Sequence, residues 1–77
     1  MDVKMVDVTL HIDENTTHDK REELRDSLLN LDGVMAAVCH DEKPHLVIVE
    51  YNPDSIKSSE FIAAANKNGL HAELVGL

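Results

Sequence analysis

Along residues 5–12 apolar and polar side chains alternate. Val6, Val8, Leu10 and Ile12 fall on one side, and Asp7, Thr9 and His11 on the other. A period of two sends successive side chains to opposite faces of an extended chain, so the pattern predicts a half-buried strand. The period then changes. Leu24, Leu28 and Leu31 recur at i, i+4 and i+7 and form one stripe of a helix. Thr16 or Thr17 offers an N-cap oxygen at its start, and Asp19 and Glu22 bring negative charge to the positive end of its dipole. Gly33 stands where a left-handed residue would close the helix, at about C′.

Two runs rich in β-branched residues follow, 34–39 and 46–51, separated by HDEKPH, and together they predict a hairpin. NPDS then breaks the chain. A second helix is expected from a Ser58 cap through Asn68, with Phe61, Ile62 and Ala65 on its core face, Ala64 at the margin and Gly69 closing it. Residues 70–75 predict a last short strand. The order is β-α-β-β-α-β with no room for a linker, so residues 1–77 are expected to form one domain. Two right-handed crossovers over a four-stranded antiparallel sheet give an α+β ferredoxin-like plait with both helices on one face. That fold hosts many functions and by itself assigns none.

The totals narrow the options. At 77 residues a chain buries only a little over ~60% of its unfolded surface, so the core is modest even with 43% apolar residues. A formal charge of −8 repels phosphate backbones and anionic membranes, which argues against nucleic-acid binding. Tyr51 and Phe61 are the aromatics present, too few for a base-stacking platform. No apolar run approaches a membrane span and the start MDVK does not resemble a leader, so a soluble cytoplasmic protein is expected. A single cysteine, Cys39, excludes an internal disulfide and a thiol-only metal cage within one chain. It is expected to be a small buried hydrophobe and inert. A hairpin register shifted by one would turn it outward, where it could cross-link dimers or join His40 as a ligand pair.

Three segments carry a family resemblance: LLNLDGV (residues 28–34), VIVEYNPDSI (47–56) and FIAAANKNGLHAELVGL (61–77). With them the chain resembles the heavy-metal-associated domain of copper chaperones and metal-pumping ATPases. Most of the likeness is core pattern. The family's own signature is methionine-x-cysteine-x-x-cysteine between the first strand and first helix. Its second cysteine precedes the valine of the glycine-valine pair by fourteen residues; counted back from Val34, that position is Lys20, and the first cysteine's is Thr17. Both thiols are therefore missing. Leu70 also fills a place where aromatic residues or lysine are common in the family. Soft Cu(I) prefers thiolates; a threonine hydroxyl is a poor ligand and a lysine ammonium repels the ion. The resemblance thus implies the scaffold of a metal-trafficking domain without its thiol site.

Two readings of the replaced motif remain. In the first, the loop docks a protein partner: Thr16, His18, Asp19, Arg21 and Leu70 form its contact surface around the replaced positions Thr17 and Lys20, where the lysine cation mimics part of the metal's charge, since family members dock through this face. In the second, ligands have moved. His18, His40, His45 and His71, with Cys39, belong to connections that the topology brings to one end of the sheet. His11, Asp13, Glu14, Asp41 and Glu42 lie nearby. Imidazole and carboxylate suit Zn(II), Ni(II) or Cu(II), though no tight histidine pair such as H-x-x-x-H is present. DKREE is read as a solvent face with Lys20 and Arg21 paired to neighbouring acids. His18 beside Asp19 lacks a convergent nucleophile or oxyanion site, so no enzyme is expected. The chain is expected to be a monomer or weak homodimer.

Overall fold

The computed structural model of the chain describes residues 4–75. The expectations for the MDVK start and for the last two residues fall partly or wholly outside that range. In chain order the elements are β1 (Val6–Ile12), α1 (His18–Leu29), β2 (Val34–His40), β3 (Lys43–Tyr51), α2 (Ser59–Lys67) and β4 (Ala72–Leu74). The strands form one antiparallel sheet in the order β2-β3-β1-β4. This is the expected ferredoxin-like plait.

The alternation in β1 sends Val8, Leu10 and Ile12 into the core, where they meet Val47 and Val49 of β3 and the helices. Val6, at the start of the strand, stays exposed. Leu24 and Leu28 bury the stripe of α1 and Leu31 packs half-buried beside them. From α2 come Phe61, Ala64 and Ala65, with Ile62 only half-buried. Tyr51 meets Phe61 edge to face at a centroid distance of 4.9 Å, a favoured arrangement of two ring quadrupoles.

Several boundaries differ from expectation, each for a local reason. The hairpin loop shrinks to Asp41 and Glu42, because Lys43, Pro44 and His45 already belong to β3. Proline is tolerated there because it stands near the strand's beginning. Helix α1 ends at an Asn30 cap, so Gly33 is not its C′ residue. Gly33 instead shapes the turn into β2 at φ +98°, where an added Cβ would come within 2.9 Å of Ile56 Cγ2 and Ser55 Cβ. Ser58 sits at the N-cap of α2, but its hydroxyl makes no capping bond. The end of α2 follows the Schellman pattern: Gly69 N–H donates to Asn66 O and Leu70 N–H to Ala65 O, with Gly69 at φ +76°. That closure draws Leu70 into the core and shortens β4 from the expected 70–75 to three residues. No helix among the described residues is long and apolar enough to cross a membrane.

Candidate functional site

The β1–α1 connection, the β2–β3 turn and the α2–β4 connection meet at one end of the sheet, as the topology predicts. Thr17 and Lys20 stand three residues apart at the first turn of α1. Thr17 is the N-cap, and its Oγ1 accepts a hydrogen bond from Lys20 N–H at 3.2 Å. Lys20 Nζ reaches Glu23 at 3.3 Å. The two positions are thus closed by a backbone-capping bond and a surface ion pair.

Arg21 departs most from the sequence reading. It is not part of a solvent face: only 7% of it is exposed. Nor is it paired to a neighbouring acid. Its Nη1 donates to Thr16 O at 2.7 Å and Thr16 Oγ1 at 3.0 Å, and its Nη2 donates to Asp41 Oδ1 at 2.8 Å. Thr16 Oγ1 in turn lies 3.3 Å from Pro44 O, to which it donates. One guanidinium therefore ties the β1–α1 loop, the helix and the hairpin turn together. The planar fork of arginine suits this, since it presents several donors in fixed directions. Its Nε–H is buried without a partner among the described residues. The signal was present in the sequence: Arg21 lies three and seven residues before Leu24 and Leu28, on their own stripe.

The remaining expected contact residues divide. His18 and Asp19 are exposed, whereas Leu70 is 5% exposed and packed in the core. Arg21 and Leu70 are thereby removed from the docking surface predicted for them. Of the expected residues at this corner, Thr17, His18 and Asp19 are exposed and Lys20 is half-buried.

The histidines are gathered at one end but not around one point. His18 Nδ1 donates to Asp41 Oδ1 at 3.0 Å, and its Nε2 lies 3.7 Å from Glu22. His71 grips Glu14 twice, through its backbone N–H at 2.8 Å and its Nδ1 at 2.6 Å. His45 Nδ1 donates to Ile12 O at 2.7 Å, and its ring stacks on that of His11 at 5.6 Å. His40 is exposed. Among the described residues no three His, Cys, Asp or Glu side chains are grouped so as to hold a metal ion.

Cys39 is half-buried rather than fully enclosed. Its Sγ lies 3.9 Å from Arg21 O and borders a cleft of about 450 Å³ between α1 and the hairpin turn. Burial pushes its thiol pKa up, aided by the charge of Glu22, so the thiolate needed for reaction or ligation is disfavoured.

The two histidine clips give the domain a pH dependence. The Asp41 hydrogen bond, then its charge, raises the pKa of His18; Glu14 acts on His71 in the same way. Asp41 is lowered by its hydrogen bonds from His18 and Arg21, and Glu14 by those from the His71 side chain and backbone. A histidine raised on folding stabilises below its unfolded pKa, and that contribution is lost as pH rises through the folded value. A lowered carboxylate stabilises above its unfolded pKa, and its contribution is lost as pH falls through the depressed value. Both clips are therefore complete at about pH 5 to 6, between the ordinary carboxylate and histidine ranges. The melting temperature should peak in that window and decline toward alkaline pH. Asp41→Asn combined with Glu14→Gln should flatten the alkaline limb; an unchanged limb would mean the histidines titrate alike in the folded and unfolded chains.

The solved structures that this fold resembles are heavy-metal-associated domains. One is the N-terminal domain of a potential copper-translocating P-type ATPase from Bacillus subtilis in its Cu(I)-loaded state. It superposes with a TM-score of 0.82 at 26% identity, over 95% of this chain and 90% of that one. Oxidized MerP from Ralstonia metallidurans CH34 gives a TM-score of 0.86 at 14% identity, over 95% and 100%. A putative copper-ion-binding protein from Bacillus anthracis str. Ames gives 0.83 at 15%, over 94% and 100%. No protein-family model matches the chain, and no curated protein sequence matches it. The likeness lies in the architecture.

Proposed function

We propose that this chain is a small non-catalytic binding domain of the heavy-metal-associated type, lacking the thiol metal site and docking a protein partner in the cytoplasm. The observation that carries the reading is the Arg21 brace. The resemblance would put two thiol ligands in this connection; here Arg21 links loop, helix and hairpin with side-chain and backbone groups alone. The loop is then shaped for contact without cargo. Thr17, His18, Asp19 and Lys20 form the contact corner, with Thr17 and Lys20 in the places where the family carries cysteines.

The test sets metal against protein. Purified protein is titrated with Cu(I), Zn(II) and Ni(II) while the histidine and loop signals are followed by NMR. A parallel capture from its own cells compares the native chain with a His18→Asp, Lys20→Glu variant. The reading expects no stoichiometric response of His18, His40, His45 and His71 together, and a partner that the native chain retains and the variant loses. Tight one-to-one metal binding by those histidines, with no such partner, would overturn it in favour of a histidine-carboxylate metal protein.

A further inference from the structure

The helices cover one face of the sheet, and the other face carries a pattern that core packing does not explain. Strand register sets its cross-strand rows. Val38 of β2 lies opposite Ile48 of β3, and Ile48 opposite Thr9 of β1. Val75 N–H donates to Thr9 O, so a row of Val38, Ile48, Thr9 and Val75 crosses the whole sheet. Val38 and Ile48 are each 40% exposed and Val75 46%. On one side the next outward row is Ala36, Glu50 and Asp7; on the other it is Leu46, His11 and Glu73. A row of three exposed apolar side chains and Thr9 thus runs between two rows bearing carboxylates, with no Lys or Arg in any of them.

Asp7 and Glu50 sharpen the point. They are direct partners on neighbouring strands and share the open face. Side chains so placed have Cβ atoms only ~5 Å apart, and like charges there are destabilising. Neither carboxylate joins an ion pair among the described residues. A single lysine at either place would turn repulsion into attraction. A local conflict retained at the rim of an apolar strip is the kind that a binding surface explains, because a partner's cation relieves it.

We propose that this face docks a protein surface in which an exposed apolar side chain is flanked by Lys or Arg. The apolar group lies on Val38 and Ile48, and a basic side chain is received between Asp7 and Glu50. A second copy of this chain is the wrong occupant: it would set carboxylates against carboxylates in a molecule of net charge −8. The surface is separate from the loop corner, so this inference does not rest on docking there.

The experiment uses two synthetic peptides of equal positive charge. One alternates Lys or Arg with Leu and Val; the other replaces the apolar residues with Ser. Each is titrated into the full chain by NMR. The first should shift the amides of Thr9, Val38, Ile48 and Glu50, and should bind ~10-fold tighter than the second, equivalent to ~1.4 kcal/mol. Glu50→Lys should weaken that binding while raising the melting temperature of the free domain. Lys20→Glu, at the loop corner, should leave it intact. Equal binding of the two peptides would overturn the proposal, as would shifts centred on α1 or undiminished binding by Glu50→Lys. So would concentration-dependent shifts of the sheet amides without peptide, which would mark a second copy as the occupant.

Discussion

Replacing both Thr17 and Lys20 with cysteine should convert this chain into a Cu(I)-binding protein. The two residues stand at i and i+3 across the opening turn of α1, and Thr17 Oγ1 already reaches Lys20 N–H at 3.2 Å. Side chains at that spacing have Cβ atoms about 5–6 Å apart, within the span of two sulfurs sharing a low-coordinate ion. The N-terminus of a helix lowers thiol pKa values, and soft thiolates favour Cu(I). Losing the Thr17 cap should cost about 1 kcal/mol, and losing the exposed Lys20–Glu23 pair much less. The measurement is competition with a chromophoric Cu(I) chelator. The double variant should withdraw one equivalent and the native chain none. A folded variant that leaves the chelator loaded would show that the loop is shaped differently from a thiol loop, and that counting back from Val34 misplaces the site.

Arg21→Met should be the most damaging change to the fold outside the apolar core. Methionine keeps part of the buried stem but removes three donated hydrogen bonds, and it leaves Thr16 O without its arginine donor while Thr16 Oγ1 keeps only its bond to Pro44 O. Hydrogen bonds to charged groups are each worth about 1.5–3 kcal/mol, and their losses here overlap, so we expect a net cost of about 2–3 kcal/mol. In a domain of this size that lowers the melting temperature by about 10–20 °C. Arg21→Lys should not rescue it, since an ammonium lacks the fork that serves Thr16 and Asp41 together. Asp41→Asn should cost much less, because the Asp41 side chain is 68% exposed and water can replace the arginine. A melting temperature for Arg21→Met within about 3 °C of the native chain, corresponding to ~0.5 kcal/mol, would remove the brace from the account of the loop.

The sequence states its periodic elements plainly. Alternation marked β1, the leucine stripe marked α1, and Gly69 marked the end of α2 because its φ of +76° suits glycine. Those features are local, and each is written in a few neighbouring residues. Arg21 was harder because its charge and its position disagree: the residue type says surface, while the spacing to Leu24 and Leu28 says core. What resolves the conflict is Asp41, twenty residues away, and no periodicity connects them. Pro44 misled for the opposite reason, since a proline beside polar residues reads as turn even where a strand begins. The histidines show a further limit. Topology brought their connections to one end of the sheet, but side-chain direction dispersed them to Asp41, Glu14 and Ile12.

The rims of the sheet have a consequence for how anything can approach it. On β2, register breaks between Val34 and Ala36 and again between Cys39 and His40, so its straight stretch covers only residues 36–39. On β4 the ladder is three residues long. Neither margin offers a template long enough for an incoming chain to extend the ladder by main-chain pairing. These rims favour an approach broadside, through side chains, that leaves the strand count at four. Bulges on β2 and the short ladder of β4 among the described residues thus work against growth into a continuous ribbon of neighbouring molecules.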